Sequence, residues 1–350
     1  MSTIYRIGKD LGVSPMTVSN ALNYRKGVGE KTAIRIREYA QKIGYRPSHM
    51  ARALSNGRTG MIGLCLRDTP RNAWLAGMMD EMNQAVRAEG YSLNIMLTNG
   101  ELGQIRAALR QLAEHRVEAT VIGPLGYTHE YIQLAEDLKQ LPNVLAFEAV
   151  DNLPVDHCMV DVYQGGLLAM RHLFDLGHRQ IGYIGAVEME TKTEGVRNRY
   201  AAYTDSLAHQ RIAFEPQWVI TQEQCSFDVN DQSTYQLVQL FRRLEELDKL
   251  PTALFCHNDW IAAQVVRALQ EIGLSVPHDI SVIGFDNQQV CNITFPTITS
   301  VGFDLKEYVR SIAQLVFNRL DQKAGEGDTP VELPMVQRLV IQPQLHIRRS

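Results

Sequence analysis

Short apolar segments alternate with amphipathic segments between Met61 and Phe285, and no other feature restricts the fold of this chain as strongly. The apolar segments have the length of buried strands, and the segments between them show the apolar spacing of helices. Strands that alternate with helices form parallel βαβ units. Because a second series begins near Cys158, the sequence predicts two parallel sheets. The apolar segments are MIGLCL, SLNIMLT, EATVIG and NVLAF, then CMVDV, QIGYIG, WVI, TALFC and ISVIGF.

Candidate ligand residues follow the carboxyl ends of the predicted strands, because open parallel sheets bind ligands in the crevice at that edge. Asp286 and Asn287 follow a buried segment with no helix directly after them, so both are good candidates. Asp259 is ambiguous, since it directly precedes a predicted helix and an N-cap role explains an acidic residue there equally well. The strands concerned end at Leu66, Gly123, Gly185, Cys256 and Phe285.

Positive charge is concentrated in the first sixty residues, which contain 11 lysines and arginines and 3 acidic residues. The other 290 residues contain 24 basic and 36 acidic residues. A segment of net charge +8 attached to a body of net charge −12 indicates a polyanion-binding module. Nucleic acid is therefore the first partner to consider.

Three short helices are predicted within this basic segment, over residues 4–11, 15–22 and about 30–43. Ser14 is a good N-cap for the second helix, and a tight glycine turn precedes it. Two helices joined in this way are typical of helix-turn-helix units, whose second helix enters the major groove of DNA. A helical hairpin with solvated charges would show a similar pattern. The residues predicted to face DNA here are Ser14, Pro15, Met16, Thr17 and Asn20, with Lys31 on the third helix.

Several motifs resemble the lac repressor (LacI/GalR) family of transcription regulators over nearly the whole chain. TIYRIGKDLGVSPMTVSNALN and GYRPSHMARAL are similar to its headpiece and hinge helix, and DLGHRQIGYIG, FCHND and VPHDISVIGFDN to its effector domain. The resemblance implies an α/β protein with an N-terminal all-α helix-turn-helix headpiece and a two-lobed, periplasmic-binding-protein-like core with two parallel sheets. The implied ranges are 1–47 for the headpiece, 48–60 for the hinge helix and linker, and 61–350 for the effector-binding and dimerisation core. Within the core, lobe 1 would comprise about 61–161 and 290–325, and lobe 2 about 162–289 and 326–350.

The resemblance also implies residue roles. In the hinge, Arg52 would contact DNA and Leu54 would pair with its twofold mate to wedge open a minor-groove step, as apolar side chains can. The implied effector residues are Asn72, Trp74, Arg199, Asn258 and Asp286. An arginine, an amide and a carboxylate around one crevice suit a polyhydroxylated ligand, so a sugar or sugar derivative is the expected effector. The implied function is that of a sequence-specific regulator, a repressor in the main expectation, whose operator affinity changes with the effector.

A homodimer is expected, because two headpieces on symmetric half-sites require a twofold axis. The predicted interface uses the helix over 75–89, through Met78, Met79 and Met82, and the helix near 251–268. Methionines at helical spacing also fit ordinary core packing. The C-terminal segment QRLVIQPQLHIRRS contains a strand and no leucine heptad, which disfavours a tetramer formed by a terminal coiled coil.

The sequence lacks the G-x-S-x-G, G-x-x-x-x-G-K-[ST] and strand-linked G-x-G-x-x-G motifs, so no enzyme is predicted, and no cofactor or metal. The five widely spaced cysteines lie mostly in apolar runs, which predicts buried free thiols. No apolar run approaches the ~20 residues of a membrane helix, and the N-terminus lacks a signal-peptide pattern, so we expect a cytoplasmic protein. A periplasmic-type sugar-binding protein without DNA function is the alternative, although it would need a signal peptide and no basic head.

Overall fold

A computed structural model of the chain describes residues 4–22, 26–45, 58–67, 73–123, 128–147, 155–185, 187, 194–226, 231–325 and 336–350. These residues divide into two compact units, Met1–Gly60 and Met61–Ser350. Each unit has its own hydrophobic core and is described by itself.

The first unit contains three helices, α1 (Ile4–Leu11), α2 (Pro15–Leu22) and α3 (Glu30–Lys42), with the bounds that the sequence predicts to within a residue. The turn before α2 contains Gly12 at φ +66°, a conformation that favours glycine. The predicted cap is confirmed, because Ser14 Oγ accepts a hydrogen bond from Thr17 N at 3.1 Å. The helices enclose a small core of Ile7, Val18, Ala21, Ala33, Ile36 and Ala40.

Side chains of α3 reach back to the other two helices. Arg35 Nη2 donates to the carbonyl oxygen of Leu11 at 2.6 Å, and Arg37 Nε donates to that of Ala21 at 3.0 Å. Carbonyl groups at helix ends lack partners within the helix, so these two bonds satisfy groups that the fold would otherwise leave to water. Part of the positive charge of this unit therefore has a structural role.

The second unit contains nine α-helices, one short 3-10 helix (Pro216–Trp218) and twelve strands within its described residues. In chain order they are β1 (Met61–Arg67), α4 (Ala73–Ala88), β2 (Ser92–Thr98), α5 (Leu102–Glu114), β3 (Ala119–Ile122), α6 (Thr128–Lys139), β4 (Val144–Ala146), β5 (Asp156–Val160), α7 (Val162–Asp175), β6 (Ile181–Ile184), α8 (Glu194–His209), β7 (Val219–Ile220), α9 (Asp231–Glu246), β8 (Ala253–Cys256), α10 (Asp259–Glu271), β9 (Ser281–Phe285), α11 (Val290–Ile293), β10 (Thr299–Gly302), α12 (Leu305–Gly325), β11 (Arg338–Ile341) and β12 (Gln344–His346).

Two six-stranded sheets form two lobes, as the alternation predicts. The first sheet is parallel throughout, in the order β11-β5-β4-β3-β1-β2. The second has the order β12-β10-β9-β8-β6-β7, and only its edge strand β12 is antiparallel to its neighbour. Most strands are continuous apolar runs because helices cover both faces of parallel sheets.

Three crossovers connect the lobes, and they differ from the predicted lobe boundaries. The chain crosses at Asp161, at 303–304 and at 342–343. Residues 290–302 therefore belong to the second lobe, and residues 338–341 belong to the first. The predicted assignment of 290–325 to lobe 1 is wrong for 290–302. The predicted assignment of 326–350 to lobe 2 is wrong for 338–341. The reason is strand pairing: β10 pairs with β9, the strand before it in the chain, whereas β11 pairs with β5, about 180 residues earlier.

The C-terminal segment forms two strands where the sequence predicted one. Pro343 lies between β11 and β12, and a proline cannot donate a hydrogen bond to a sheet. The chain changes lobes there. Asp161 N donates to Ile341 O at 2.9 Å, so the first and third crossovers run side by side.

The methionine stripe of α4 lies in the core of the first lobe. Met78 and Met82 are 0% and 1% exposed and pack in one cluster with Val309 and Ile312 of α12. The prediction that they form a subunit interface is wrong, because α12 already covers them. Met79 is partly buried against the same cluster. The apolar residues of α10, which belong to the other helix proposed for the interface, likewise lie in the core of the second lobe.

All five cysteines are buried and free, as predicted. Burial raises the pKa of Cys65 and of Cys158 to about 12, so these thiols stay protonated and unreactive at neutral pH. In the described ranges, no group of three or more His, Cys, Asp and Glu side chains is arranged to hold a metal ion. None of the described helices combines the length and hydropathy needed to cross a membrane.

Candidate nucleic-acid interface and effector site

The start of α2 presents the predicted DNA-facing side chains on the surface of the first unit. Ser14 and Met16 are exposed, Met16 by 75%, and Pro15, Thr17 and Asn20 are half-buried. Val18 and Ala21 point into the core instead. The hydroxyl groups of Ser14 and Thr17 lie 2.8 Å apart in addition to the cap, so both are held in fixed positions at the helix N-terminus.

Lys31 is exposed in the first turn of α3. It has no salt bridge among the described residues, and its ammonium group is available to a phosphate. Arg52 and Leu54, the two hinge residues of the prediction, lie outside the residues that the structure describes.

Arg199 is the central cation of the candidate effector site, in the second lobe. Its helix, α8, packs closely on α7, where a Cβ added to Gly166 would lie 2.5 Å from the Cβ of Ala202. The Arg199 guanidinium lies 3.9 Å from the ring centroid of Phe285, donates through Nη1 to the carbonyl oxygen of His257 at 2.5 Å, and places Nη2 3.5 Å from Asp286 Oδ1. Its Nε is buried and has no hydrogen-bond partner among the described residues.

Asp286 follows β9 in a backbone conformation that is rare for residues other than glycine. Its φ is +95°, and that of Asn287 is +49°. Such conformations cost about 1–3 kcal/mol each and persist where the surrounding structure determines them. Burial raises the pKa of the Asp286 carboxyl and the neighbouring Arg199 lowers it, with burial the larger effect. The structure thus brings together two of the predicted effector residues, Arg199 and Asp286.

Asn258 has a structural role in addition to any effector contact. Its Oδ1 accepts a hydrogen bond from Ile261 N at 2.9 Å and caps α10. The capping role that the sequence suggested for Asp259 therefore belongs to the preceding residue. The Nδ2 amide group of Asn258 and the second lone pair of its Oδ1 are left for an effector. Asp259 itself is fully buried.

The two remaining predicted effector residues cannot be placed against this site. Asn72 lies outside the described residues. Trp74 lies in the first turn of α4, where the structure describes the backbone and not the side chain.

Sequence reasoning missed three residues of the site, His257, Tyr183 and Phe285. The hydroxyl of Tyr183 lies 2.9 Å from His257 Nδ1, and Phe285 is the platform beneath Arg199. Tyr183 and Phe285 belong to apolar strand segments, where an aromatic residue is expected simply as core. His257 lies within the FCHND motif, and its contribution to Arg199 is a backbone carbonyl group that no side-chain pattern encodes.

The site lies beside the crossovers between the lobes. A Cβ added to Gly165, in the first turn of α7, would lie 2.7 Å from the Phe285 ring and 3.2 Å from Pro343 of the third crossover. The aromatic ring that supports Arg199 therefore lies against the first turn of α7, which follows the first crossover and is also adjacent to Pro343 of the third. Arg199 therefore lies close to the segments that connect the lobes.

Comparison with known proteins identifies the family of the chain. Residues 3–48 match the family described as bacterial regulatory proteins, lacI family, and residues 170–350 match the periplasmic binding protein-like domain. The chain is 31% identical over 327 residues to the HTH-type transcriptional repressor PurR of Aliivibrio fischeri (strain MJ11), a match that covers 93% of this chain and 94% of that repressor. The chain belongs to the lacI family of bacterial regulatory proteins.

Other members of the lacI family agree with this assignment. The repressor PurR of Pasteurella multocida (strain Pm70) is 30% identical over 352 residues, which cover all of this chain and 98% of the relative. The solved structure of the lac repressor dimer bound to operator and the anti-inducer ONPF has the same fold, with a TM-score of 0.82, 22% identity and coverage of 99% of this chain and 98% of that one. This lacI-family chain is thus a DNA-binding transcription regulator with an effector-binding core. The match of residues 3–48 decides against a sugar-binding protein without DNA function.

Proposed function

We propose that this regulator binds a sugar or a sugar derivative at Arg199 and Asp286 and that the bound effector changes its affinity for operator DNA. The observation that carries the proposal is the Arg199 guanidinium on the face of Phe285, with the Asp286 carboxylate 3.5 Å from it. Guanidinium groups donate and carboxylates accept two hydrogen bonds in fixed geometries, so the pair suits neighbouring hydroxyl groups.

Two solved structures of the same fold hold carbohydrates, which supports this choice of ligand class. One is the complex of the transcriptional regulator CelR with cellobiose, with a TM-score of 0.69 and 21% identity over the whole of both chains. The other is a periplasmic binding protein/LacI transcriptional regulator from Alkaliphilus metalliredigens QYMF with D-xylulofuranose, with a TM-score of 0.63 and 22% identity over 83% of this chain and 98% of that one.

Replacement of Asp286 by alanine should abolish effector binding. In a thermal-shift screen of sugars, sugar acids and nucleobases, a sugar-class compound should stabilise the unaltered protein by about 2.7 kcal/mol at ~100 times its Kd, because a ligand of the native state shifts unfolding by mass action. The same compound should leave Asp286→Ala unshifted and should no longer change the affinity of that variant for DNA.

Asp321→Ala, at an exposed position of α12, is the matched control and should respond as the unaltered protein does. An unchanged response in Asp286→Ala would place the effector elsewhere. A shift with a nucleobase and with no sugar would overturn the ligand class and leave the site in place.

DNA binding is proposed to follow the family arrangement. A homodimer would place two copies of α2 in successive major grooves, with Ser14, Pro15, Met16, Thr17 and Asn20 toward the bases, while Arg52 and Leu54 act in the hinge. Pro15 and Met16 offer few hydrogen bonds, so part of the specificity would come from DNA shape. An effector that favours one arrangement of the lobes would change DNA affinity by a coupling free energy of about 1–3 kcal/mol.

Replacement of Lys31 by alanine should weaken binding to every duplex, whatever its sequence. Each phosphate contact releases counterions, so the slope of log affinity against log salt concentration should decrease by about 1. The measurement is fluorescence anisotropy with a selected operator and a random duplex at several salt concentrations. Lys139→Ala removes an exposed lysine from α6, in the acidic second unit, and should leave the slope unchanged. An unchanged slope in Lys31→Ala would remove this residue from the interface.

A further inference from the structure

Residues 286–289, between β9 and α11, form a short loop that carries Asp286, and we call it the effector loop. Asp286 and Asn287 both have positive φ, and the backbone N of Asp286 donates to Val301 O at 2.7 Å. Strained conformations persist only where other groups fix them. The groups that fix this loop therefore determine the direction of the Asp286 carboxylate toward Arg199.

Asp259 holds the effector loop from inside the lobe. Its side chain is fully buried, accepts from Gln288 N through Oδ2 at 2.6 Å and accepts from Ser300 Oγ through Oδ1 at 2.6 Å. Ser300 Oγ in turn accepts from Asn287 N at 3.1 Å. Two consecutive backbone N–H groups of the loop are thus bound by one carboxylate, one directly and one through a hydroxyl. Gly284 leaves the space for this carboxylate, because a Cβ there would collide with Asp259 Oδ1.

Arg348 holds the same loop from outside. It lies two residues after the end of β12, and its Nη2 donates to Asn287 Oδ1 at 2.7 Å. Its Nε donates to Asn292 Oδ1 at 3.0 Å and its Nη1 to Ile298 O at 2.9 Å. Three bonds from one planar guanidinium fix both the loop and the segment that follows it, a geometry that a lysine cannot reproduce. The backbone of Arg348 is itself held, since its N donates to Thr299 Oγ1 at 3.0 Å.

We propose that Asp259 and Arg348 are positioning residues of the effector site: together they hold Asp286 and Asn287 in the left-handed conformations that direct the Asp286 carboxylate to Arg199. The inference rests on the proposed effector role of Asp286. It adds a carboxylate and a guanidinium that do not touch the effector and that determine how well the loop recognises it. The two side chains reach the loop from α10 and from the segment after β12, so the loop is fixed on two sides.

The test is a spectroscopic signature at Arg199 that needs no effector. In protein labelled with 15N-arginine, the Nε–H signal of Arg199 is assigned by its loss in Arg199→Lys. This Nε is buried and has no hydrogen-bond partner in the described part of the chain, so its signal reports on the Asp286 carboxylate beside the guanidinium. Neither Asp259 nor Arg348 forms a described hydrogen bond to Arg199. Asp259 lies two residues after His257, whose carbonyl oxygen binds Arg199, so Arg348, whose side chain binds the effector loop and the segment after it, gives the cleaner test.

Asp259→Ala and Arg348→Met should each shift the Arg199 Nε–H signal by more than its linewidth, at a temperature well below unfolding. Arg349→Met is the matched control on the neighbouring, exposed arginine and should leave the signal in place. If Asp259→Ala does not fold, Arg348→Met decides the result. An Arg199 signal that stays unshifted in Arg348→Met would overturn the proposal for this residue, and an unshifted signal in both variants would overturn it altogether.

The outcome is separable from that of the proposed function. A shifted Arg199 signal together with an unchanged effector response in Asp286→Ala would support the positioning of the loop and contradict its use for the effector. An unshifted Arg199 signal together with loss of effector response in Asp286→Ala would contradict the positioning of the loop and support its use for the effector.

Discussion

Replacement of Arg319 by methionine should lower the free energy of unfolding by about 3–5 kcal/mol, because it leaves a buried carboxylate without its cation. Arg319 lies on α12 and binds Asp156 of β5 through two hydrogen bonds, from Nε at 2.6 Å and from Nη2 at 2.7 Å. The two side chains are only 10% and 9% exposed. After the replacement, Gln337 N is the described donor that remains to Asp156, at 2.8 Å. Urea unfolding at neutral pH measures the loss.

Two further variants separate the ion pair from general effects on α12. Arg310→Met changes an exposed arginine of the same helix and should alter the free energy of unfolding by less than about 1 kcal/mol, as surface charges do. Adding Asp156→Leu to Arg319→Met removes the unpaired charge, and the double variant should lose less than the two single losses combined. A loss in Arg319→Met no larger than that in Arg310→Met would show that the buried pair contributes nothing to stability.

The second large effect should appear in the pH dependence of stability. Burial and the neighbouring Asp286 raise the pKa of Asp259 from 3.8 to about 7, against the lowering effect of its hydrogen bonds. The native state therefore binds this proton more tightly than the unfolded chain. The contribution of Asp259 to the free energy of unfolding is fully present below about pH 4 and is lost as the pH rises to about 7. The total change is up to about 4 kcal/mol, since one pKa unit corresponds to 1.36 kcal/mol.

Asp259→Asn should remove this contribution. The free energy of unfolding of the unaltered protein, minus that of Asp259→Asn, should be largest near pH 4. This difference should decrease as the pH rises to about 7. Histidines and carboxyl groups that do not interact with Asp259 contribute equally in both proteins, so their contributions cancel in the difference. Asp321→Asn, at an exposed position, should give a difference that stays constant with pH. A constant difference for Asp259→Asn would mean that its carboxyl titrates normally.

The elements could be predicted because their signals are local. Ser14 caps α2 through the residue three positions later, and the helical spacing of apolar residues defines α1, α2 and α3 within single windows of sequence. The lobe assignment of β10 and β11 could not be predicted in this way. Both are four-residue segments, TSVG and RLVI, that fit either sheet, and the choice depends on partners in β9 and β5, the latter about 180 residues away from β11.

The candidate site was predicted only in part, and by resemblance more than by composition. Arg199 was predicted from the family resemblance, and Asp286 from the resemblance and from its position after a buried strand; the structure places them together. The role of Phe285 in the site could not be predicted, because an aromatic residue in a buried strand is expected to belong to the core. The same periodicity fits core packing and a subunit interface, so the sequence alone could not assign the methionines of α4 to either. Their packing against α12 places Met78 and Met82 in the core.

The order of the last two strands has a consequence for synthesis of the protein on the ribosome. β11 completes the first sheet and β12 the second, and both follow every other strand in the chain. Neither lobe can therefore close while residues 338–346 are still inside the exit tunnel, even though α1, α2 and α3 emerged long before. A nascent chain would therefore carry a folded headpiece together with an incompletely folded effector-binding core, because domains that emerge early generally fold first.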